Sequence, residues 1–173
     1  MAKDTTASVN RRNDIISAAI DVFAEIGYYR ATTAQVAERA QISQPYIFRF
    51  FKTKEALLLS ALEVSWTRVI DSFRLVVETA TPDQLEHELI EAYENILESH
   101  QSEILLQMQA QTIQEDVIRQ AMQKGFSEVR TMVLNAFSNA GIAEAKQRTL
   151  VFLAIGVLCN VSIALDMPEL KER

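Results

Sequence analysis

From Leu58 to Val76 apolar residues return at steps of four and three, as Leu58, Leu62, Trp66, Val69, Phe73 and Val76, with neither glycine nor proline between them. Only an α-helix, with 3.6 residues per turn, puts such residues on one face. The pattern is not local. The whole chain of 173 residues holds four Gly and three Pro, too few for the many turns of a sandwich or barrel, and no segment shows strand-like alternation. The fold class read from the sequence is therefore all-α. With 49% hydrophobic and 23% charged residues the chain can bury its own core. Cys159 is the only cysteine, which excludes an intrachain disulfide and a multi-cysteine zinc site and fits a reducing, cytoplasmic setting.

Start and stop signals divide the chain into eight helices. The first has Ile15, Ile16, Ala19, Ile20, Phe23 and Ile26 on one face, Ser8 as its expected cap and Gly27 as its stop. Thr32 to Gln35 reads as a capping box for a short second helix ending near Ala40. A tight turn at Gln41-Ile42 leads to a third, capped by Ser43 with Pro45 in its first turn. Thr53 caps the long fourth helix. Thr81, Pro82 and Gln84 form a start signal for the fifth, which carries Leu85, Leu89, Tyr93 and Ile96 and ends near His100. Ser102 is the expected start of a sixth. A seventh runs from about 115 to Asn139 and a last from about 143 to Asp166, with Pro168 beyond it. The resulting architecture is a three-helix head, residues 1–52, joined without a linker to a helical bundle, residues 53–173.

Charge separates the two parts. The formal net charge is -6, yet residues 1–54 hold eight Lys/Arg against five Asp/Glu. A basic head on an acidic body suits a polyanion partner for the head alone. The second and third helices, short and joined by a tight turn, have the layout of a helix-turn-helix, whose second helix projects its first turn at base edges in the major groove. In that layout Gln44 can bond adenine in pairs, Tyr46 can reach a thymine methyl or a phosphate, and Arg49 can reach guanine or the backbone. Ser43 and Pro45 lie at the same tip. Thr32, Thr33 and Lys54 sit at helix starts where hydroxyls, free amides and charge bind phosphates. Arg11 and Arg12 suit either an amino-terminal arm or a solvated helix start.

At these residues the chain resembles the tetracycline-repressor (TetR) family of bacterial transcription regulators. The family pattern of Phe-x-x-x-Gly-Tyr, Thr-Thr, Ile/Val-Ala, Ala-Gly-Val-Ser, Leu-Tyr-x-His/Tyr-Phe and Lys-Glu-x-Leu appears in order. Here it reads Phe23 with Gly27-Tyr28, Thr32-Thr33, Val36-Ala37, Ala40-Gln41-Ile42-Ser43, Ile47-Phe48-Arg49-Phe50-Phe51 and Lys54-Glu55-Ala56-Leu57. Gln41 stands where the family has a glycine suited to positive φ, Phe48 replaces a tyrosine whose hydroxyl binds phosphate, and Pro45 replaces a common glycine. Phe48 remains among the expected DNA contacts, while Ile47 and Phe51 are expected to point inward.

The resemblance implies a homodimeric, ligand-responsive repressor on double-stranded DNA at a near-palindromic operator. It implies a cavity for a small-molecule effector among helices four to eight, with Trp66, Phe73, Tyr93, Met108, Met122 and Phe126 as candidate lining and no cofactor. It also implies a four-helix interface built from the last two helices of each copy. The expected contacts there are Val129, Val133, Phe137, Leu153, Val157 and Val161, with small Ala154, Gly156 and Ala164 permitting close approach. Such pairing accounts for the 17 uncharged residues from Thr149 to Leu165, a run nearly long enough to span a membrane. Polar Met1 to Asn10 does not read as a secretory signal, and no membrane association is expected. Gln107, Gln109, Gln111 and Gln114 read mostly as solvated surface.

A catalytic reading has little to stand on. His87 and His100 are thirteen residues apart, about 140° around even one continuous helix, so they do not make a metal site. Neither a Gly-rich phosphate loop nor a nucleophile elbow is present. The competing reading is a helical ligand-binding or interaction protein that has lost specific operator binding.

Overall fold

The computed structural model describes residues 2–171, which form eight α-helices and one closing 3-10 turn, with no strand among the described residues. α1 (Ala2–Ile26) begins well before Ser8, because nothing between Ala2 and Ala7 breaks a helix. Ser8 therefore lies inside α1 and does not cap it. Gly27, at φ 85°, ends the helix as expected. α2 (Thr33–Arg39) opens with the full capping box: Gln35 N donates to Thr32 Oγ1 at 3.3 Å and Thr32 N donates to Gln35 Oε1 at 2.9 Å.

Gln41 adopts φ 55°, the conformation that its position in the turn demands. Ile42 N reaches back to Ala37 O at 2.9 Å, closing a Schellman-type end on α2. The left-handed backbone costs a non-glycine residue about 1 kcal/mol. α3 (Gln44–Ile47) is a single turn, extended by bonds from Phe50 N and Phe51 N to Ile47 O. Ser43 occupies the cap position, but its hydroxyl makes no capping bond. Thr53 does cap α4 (Lys54–Thr79), accepting from Ala56 N at 3.0 Å.

α5 (Leu85–Ser99) starts three residues after Pro82, following a hydrogen-bonded turn in which Thr81 O accepts from Gln84 N at 3.0 Å and from Leu85 N at 2.9 Å. α6 (Gln101–Ala110) follows after His100 alone, so its start lies one residue ahead of Ser102. α7 (Asp116–Asn139) and α8 (Ala145–Leu165) form the end of the bundle, and Pro168–Lys171 closes the described chain as the 3-10 turn. α8 is bracketed by Glu144 at φ 54° and Asp166 at φ 53°.

α4 is the central post, packed by α1, α5, α6 and α7. One apolar cluster runs without a break from Phe23, Ile47 and Leu57 in the head to Leu89, Ile118 and Phe137 in the body. Phe152 joins Phe73 and Phe137 in edge-to-face pairs, tying α4, α7 and α8 together. Val133 and Phe137 are fully buried within the protomer and Val129 is 5% exposed. These three α7 residues cannot meet a partner, contrary to the expected interface, because the stripe of α7 is spent on its own core.

Candidate nucleic-acid interface and internal cavity

The tip of the head is built on a rigid base. Buried Ile47 and Phe51 anchor α3 from behind, and Arg39 clamps α2 to α1 by donating to both oxygens of Glu25 at 3.0 and 2.7 Å. That bond holds the Glu25 carboxyl below its usual pKa. Ser43, Gln44, Pro45, Phe48 and Arg49 are all exposed on the outer side of α3. Gln44 Nε2 donates to Thr33 Oγ1 at 2.8 Å, which orients both side chains across the turn between α2 and α3. The Arg49 guanidinium lies over the half-buried Tyr46 ring at 5.1 Å, and Tyr46 packs edge-on against Phe50. Phe48 leaves an apolar ring 48% exposed.

The remaining sequence candidates divide. Thr32 stands at the start of α2 with its hydroxyl engaged in the capping box. Lys54 is half-buried, and its ammonium donates to Tyr28 O at 2.8 Å and Ala31 O at 3.0 Å while lying 4.6 Å from the Tyr28 ring centre. It fastens the start of α4 to the loop after α1. Arg12 donates to Ser60 at 3.1 Å and covers the Phe51 ring, so it stiffens the head against α4. Lys52 and Arg30, both exposed, are basic head residues that the motif pattern does not single out.

Head and body are also bonded directly. Gln109 Nε2 donates to Ala24 O at 2.6 Å, joining α6 to α1. Tyr29 donates to Glu115 at 2.8 Å, which raises the Tyr29 pKa.

Inside the bundle lies a cavity of about 50 Å³ among α4, α5, α6, α7 and α8. Four of the six expected side chains line it: Trp66, Phe73, Tyr93 and Phe126. Met122 is buried in the neighbouring core and Met108 is half-buried, and neither is part of the wall, since helical spacing alone does not say which side of a helix meets a void. Trp66 packs edge-on to Phe126 at 5.0 Å and lies flat over Gly125, where a Cβ would stand 2.2 Å from its ring.

The polar part of the wall was not read from the sequence. Gln107, 4% exposed, donates through Nε2 to Ser65 Oγ at 2.8 Å, and Asn160, 6% exposed, accepts from the Tyr93 hydroxyl at 2.7 Å. Gln107 and half-buried Gln109 are thus structural, unlike exposed Gln111 and Gln114. Burial pushes the Tyr93 hydroxyl up to about 12, partly offset by its bond to Asn160, so Tyr93 remains a neutral donor. Beside the cavity, Arg68 Nε donates to both oxygens of buried Glu103, at 3.1 and 2.9 Å, and pins α6 to α4.

Comparison with known proteins agrees with this layout. The family model described as "Bacterial regulatory proteins, tetR family" matches residues 15–61. The HTH-type transcriptional regulator HbdR of Aromatoleum sp. (strain CIB) is 37% identical over 76 residues, 44% of this chain and 30% of that protein. The HTH-type transcriptional activator FasR of Mycolicibacterium smegmatis is 30% identical over 74 residues, 43% of this chain and 34% of its own length. Sequence similarity to these curated relatives thus spans about a third of their length. The fold matches further. The transcriptional regulator FadR from Bacillus subtilis, solved with stearoyl-CoA, superposes with a TM-score of 0.75 at 17% identity, covering 88% of this chain and 87% of that one. FadR from Bacillus halodurans gives a TM-score of 0.77 at 18% identity, covering 90% and 86%.

Proposed function

The chain belongs to the TetR family of bacterial regulatory proteins, and on that premise we propose that it is a homodimeric repressor that binds a near-palindromic DNA operator in the cytoplasm and is released by a small-molecule effector. Residues 1–52 read the DNA, and residues 53–173 bind the effector and dimerise. The observation that carries this reading is the exposed α3 tip, held from behind by Ile47 and Phe51, with Gln44 locked to Thr33 and Arg49 stacked on Tyr46. A short helix with its polar end outward and its apolar side fixed is a rigid major-groove probe.

In this reading Gln44 exchanges its bond with Thr33 for a base edge, Arg49 and Tyr46 reach the flanking bases or phosphates, and Ser43, Thr32, Thr33 and exposed Lys52 fix the register. Pro45 and Phe48 supply apolar contact. Lys54 acts indirectly, because its ammonium is held by carbonyls.

The partner surface lies on α8. Leu150, Val151, Ala154, Val157, Leu158 and Leu165 are exposed there, with half-buried Val161 between them, and successive steps of three and four put them on one face. By length and composition α8 passes as a membrane span, with 28% of its apolar window buried in the protomer. Its other face, however, carries buried Thr149, Asn160 and Ser162 packed into the bundle. A second copy laid on the apolar face covers it without exposing those polar groups to lipid. Of the sequence candidates, Val157 and Val161 belong to this face, and Leu153 lies towards the cavity.

The route from cavity to head is short. Gln107 faces the cavity and Gln109, two residues on, holds the head through Ala24, so a shift of α6 reaches α1 directly. Stearoyl-CoA is the ligand solved with the Bacillus subtilis regulator, and the cavity of this chain, about 50 Å³ as it stands, would have to widen to take a long acyl chain. Gln44→Ala tests the groove assignment: operator affinity falls roughly tenfold to a hundredfold, the value of one bidentate base contact, and discrimination at the contacted base pair is lost. An unchanged base preference in binding titrations removes Gln44 from the readout.

A further inference from the structure

The cavity holds two unspent halves of amide side chains. Gln107 uses Nε2 on Ser65 and Asn160 uses Oδ1 on Tyr93, so the acceptor Gln107 Oε1 and the donor Asn160 Nδ2 are not spent on those two bonds. Both residues are more than nine-tenths buried and both line the cavity. Among the described residues the one unpartnered side-chain polar atom sealed off from free space is Trp66 Nε1. Neither of these two amide atoms is a sealed orphan of that kind, and the residues that carry them line the cavity. Their orientation is fixed, since Ser65 and Tyr93 hold the other end of each amide. No lysine, arginine or histidine lines the wall, and its one acidic residue, Glu94, is at the exposed rim with Val157.

We propose that this cavity takes an uncharged, compact molecule of the amide or lactam class, whose N–H donates to Gln107 Oε1 and whose carbonyl accepts from Asn160 Nδ2, with its apolar body against Phe73, Phe126 and Phe152. The assignment rests on the effector-binding reading of the bundle and names the ligand class. An anion finds no counter-charge in the wall, and burying it unpaired is costly. A hydrocarbon fits the rings but leaves two buried polar atoms unpaired. The volume of about 50 Å³ restricts the ligand to a small ring unless the rim side chains give way.

Trp66 is the only tryptophan of the chain and part of the wall, so its fluorescence reports occupancy. The full chain is titrated with four five-membered rings: 2-pyrrolidone, cyclopentanone, methylenecyclopentane and cyclopentanecarboxylate. The expected order is 2-pyrrolidone tightest, cyclopentanone weaker by roughly tenfold for one lost hydrogen bond, methylenecyclopentane weaker again, and no saturable response to the carboxylate at neutral pH. Gln107→Leu is expected to reverse the order of the first two rings, weakening 2-pyrrolidone, whose N–H loses its acceptor, and tightening cyclopentanone, which no longer leaves a buried oxygen unpaired. Should that variant not fold, the unmodified chain decides alone. Carboxylate binding as tight as that of 2-pyrrolidone, hydrocarbon binding within twofold of it, or no saturable response to any ring overturns the proposal. Operator binding is read separately on the same protein: 2-pyrrolidone binding by a chain that selects no DNA sequence upholds the cavity assignment and refutes the repressor reading.

Discussion

Replacing Gly125 by alanine is expected to destabilise the fold by about 3 kcal/mol and to lower the melting temperature by about 6 to 12 °C. The sign is informative. A glycine in the middle of a helix normally costs about 1 kcal/mol relative to alanine, so at an uncrowded position the same change would stabilise α7. Gly125 is crowded by Trp66, whose ring atoms lie 2.2, 2.3 and 2.6 Å from where the new Cβ would stand. A rigid indole cannot bend out of that overlap. It has to swing as a whole, breaking its edge-to-face pair with Phe126 and closing part of the cavity. Thermal unfolding followed by Trp66 fluorescence reads both effects at once, with lower stability and an emission shift appearing together. A variant as stable as the parent, or more so, would mean that Trp66 does not rest on α7.

The second large effect concerns the apolar face of α8. Ala154 sits near the centre of that face and is exposed in the protomer, so an arginine there leaves the protomer core untouched. Across a two-fold axis it would place two like charges in an apolar interface. Ala154→Arg is expected to yield a folded monomer at micromolar concentration. Operator affinity should fall at least a hundredfold, because a lone head loses the gain from binding two half-sites together. Sedimentation and band-shift titration measure the two consequences. A variant that remains dimeric, or a parent chain that sediments as a monomer, contradicts pairing through α8.

How far the sequence reaches differs from element to element. Thr32 with Gln35, and Thr53, signal helix starts through local chemistry that needs no tertiary context, and both caps form as the residues suggest. Gln41 at positive φ is legible only through the family resemblance, which puts a glycine at that turn position. Ser8 misled because a capping residue marks a start only where the chain before it cannot be helical, whereas Thr81 opens a hydrogen-bonded turn that leads into α5. The fate of an apolar stripe is less legible. Val129, Val133 and Phe137 have the spacing of an interface and that of a core, and only the placement of α7 against α4 and α8 decides for the core. α8 has little amphipathic contrast, so its exposed face appears only once the buried Phe152, Cys159 and Asn160 are located. The polar cavity wall was hidden because a glutamine or asparagine in a helix reads as solvated until its neighbours are known. Lys54 shows the converse, a motif lysine whose ammonium is held by backbone carbonyls.

Sequence-specific DNA recognition by the α3 tip is the central claim, and the most direct test is selection of bound sequences from a random duplex library by the purified protein at moderate salt. The account predicts an enriched inverted repeat whose half-sites are centred about 34 to 36 Å apart, one turn of the double helix, with an affinity that declines as salt is raised. A library that shows no enrichment even at low salt would contradict it, and would leave a helical protein that binds a ligand in its bundle and reads no operator.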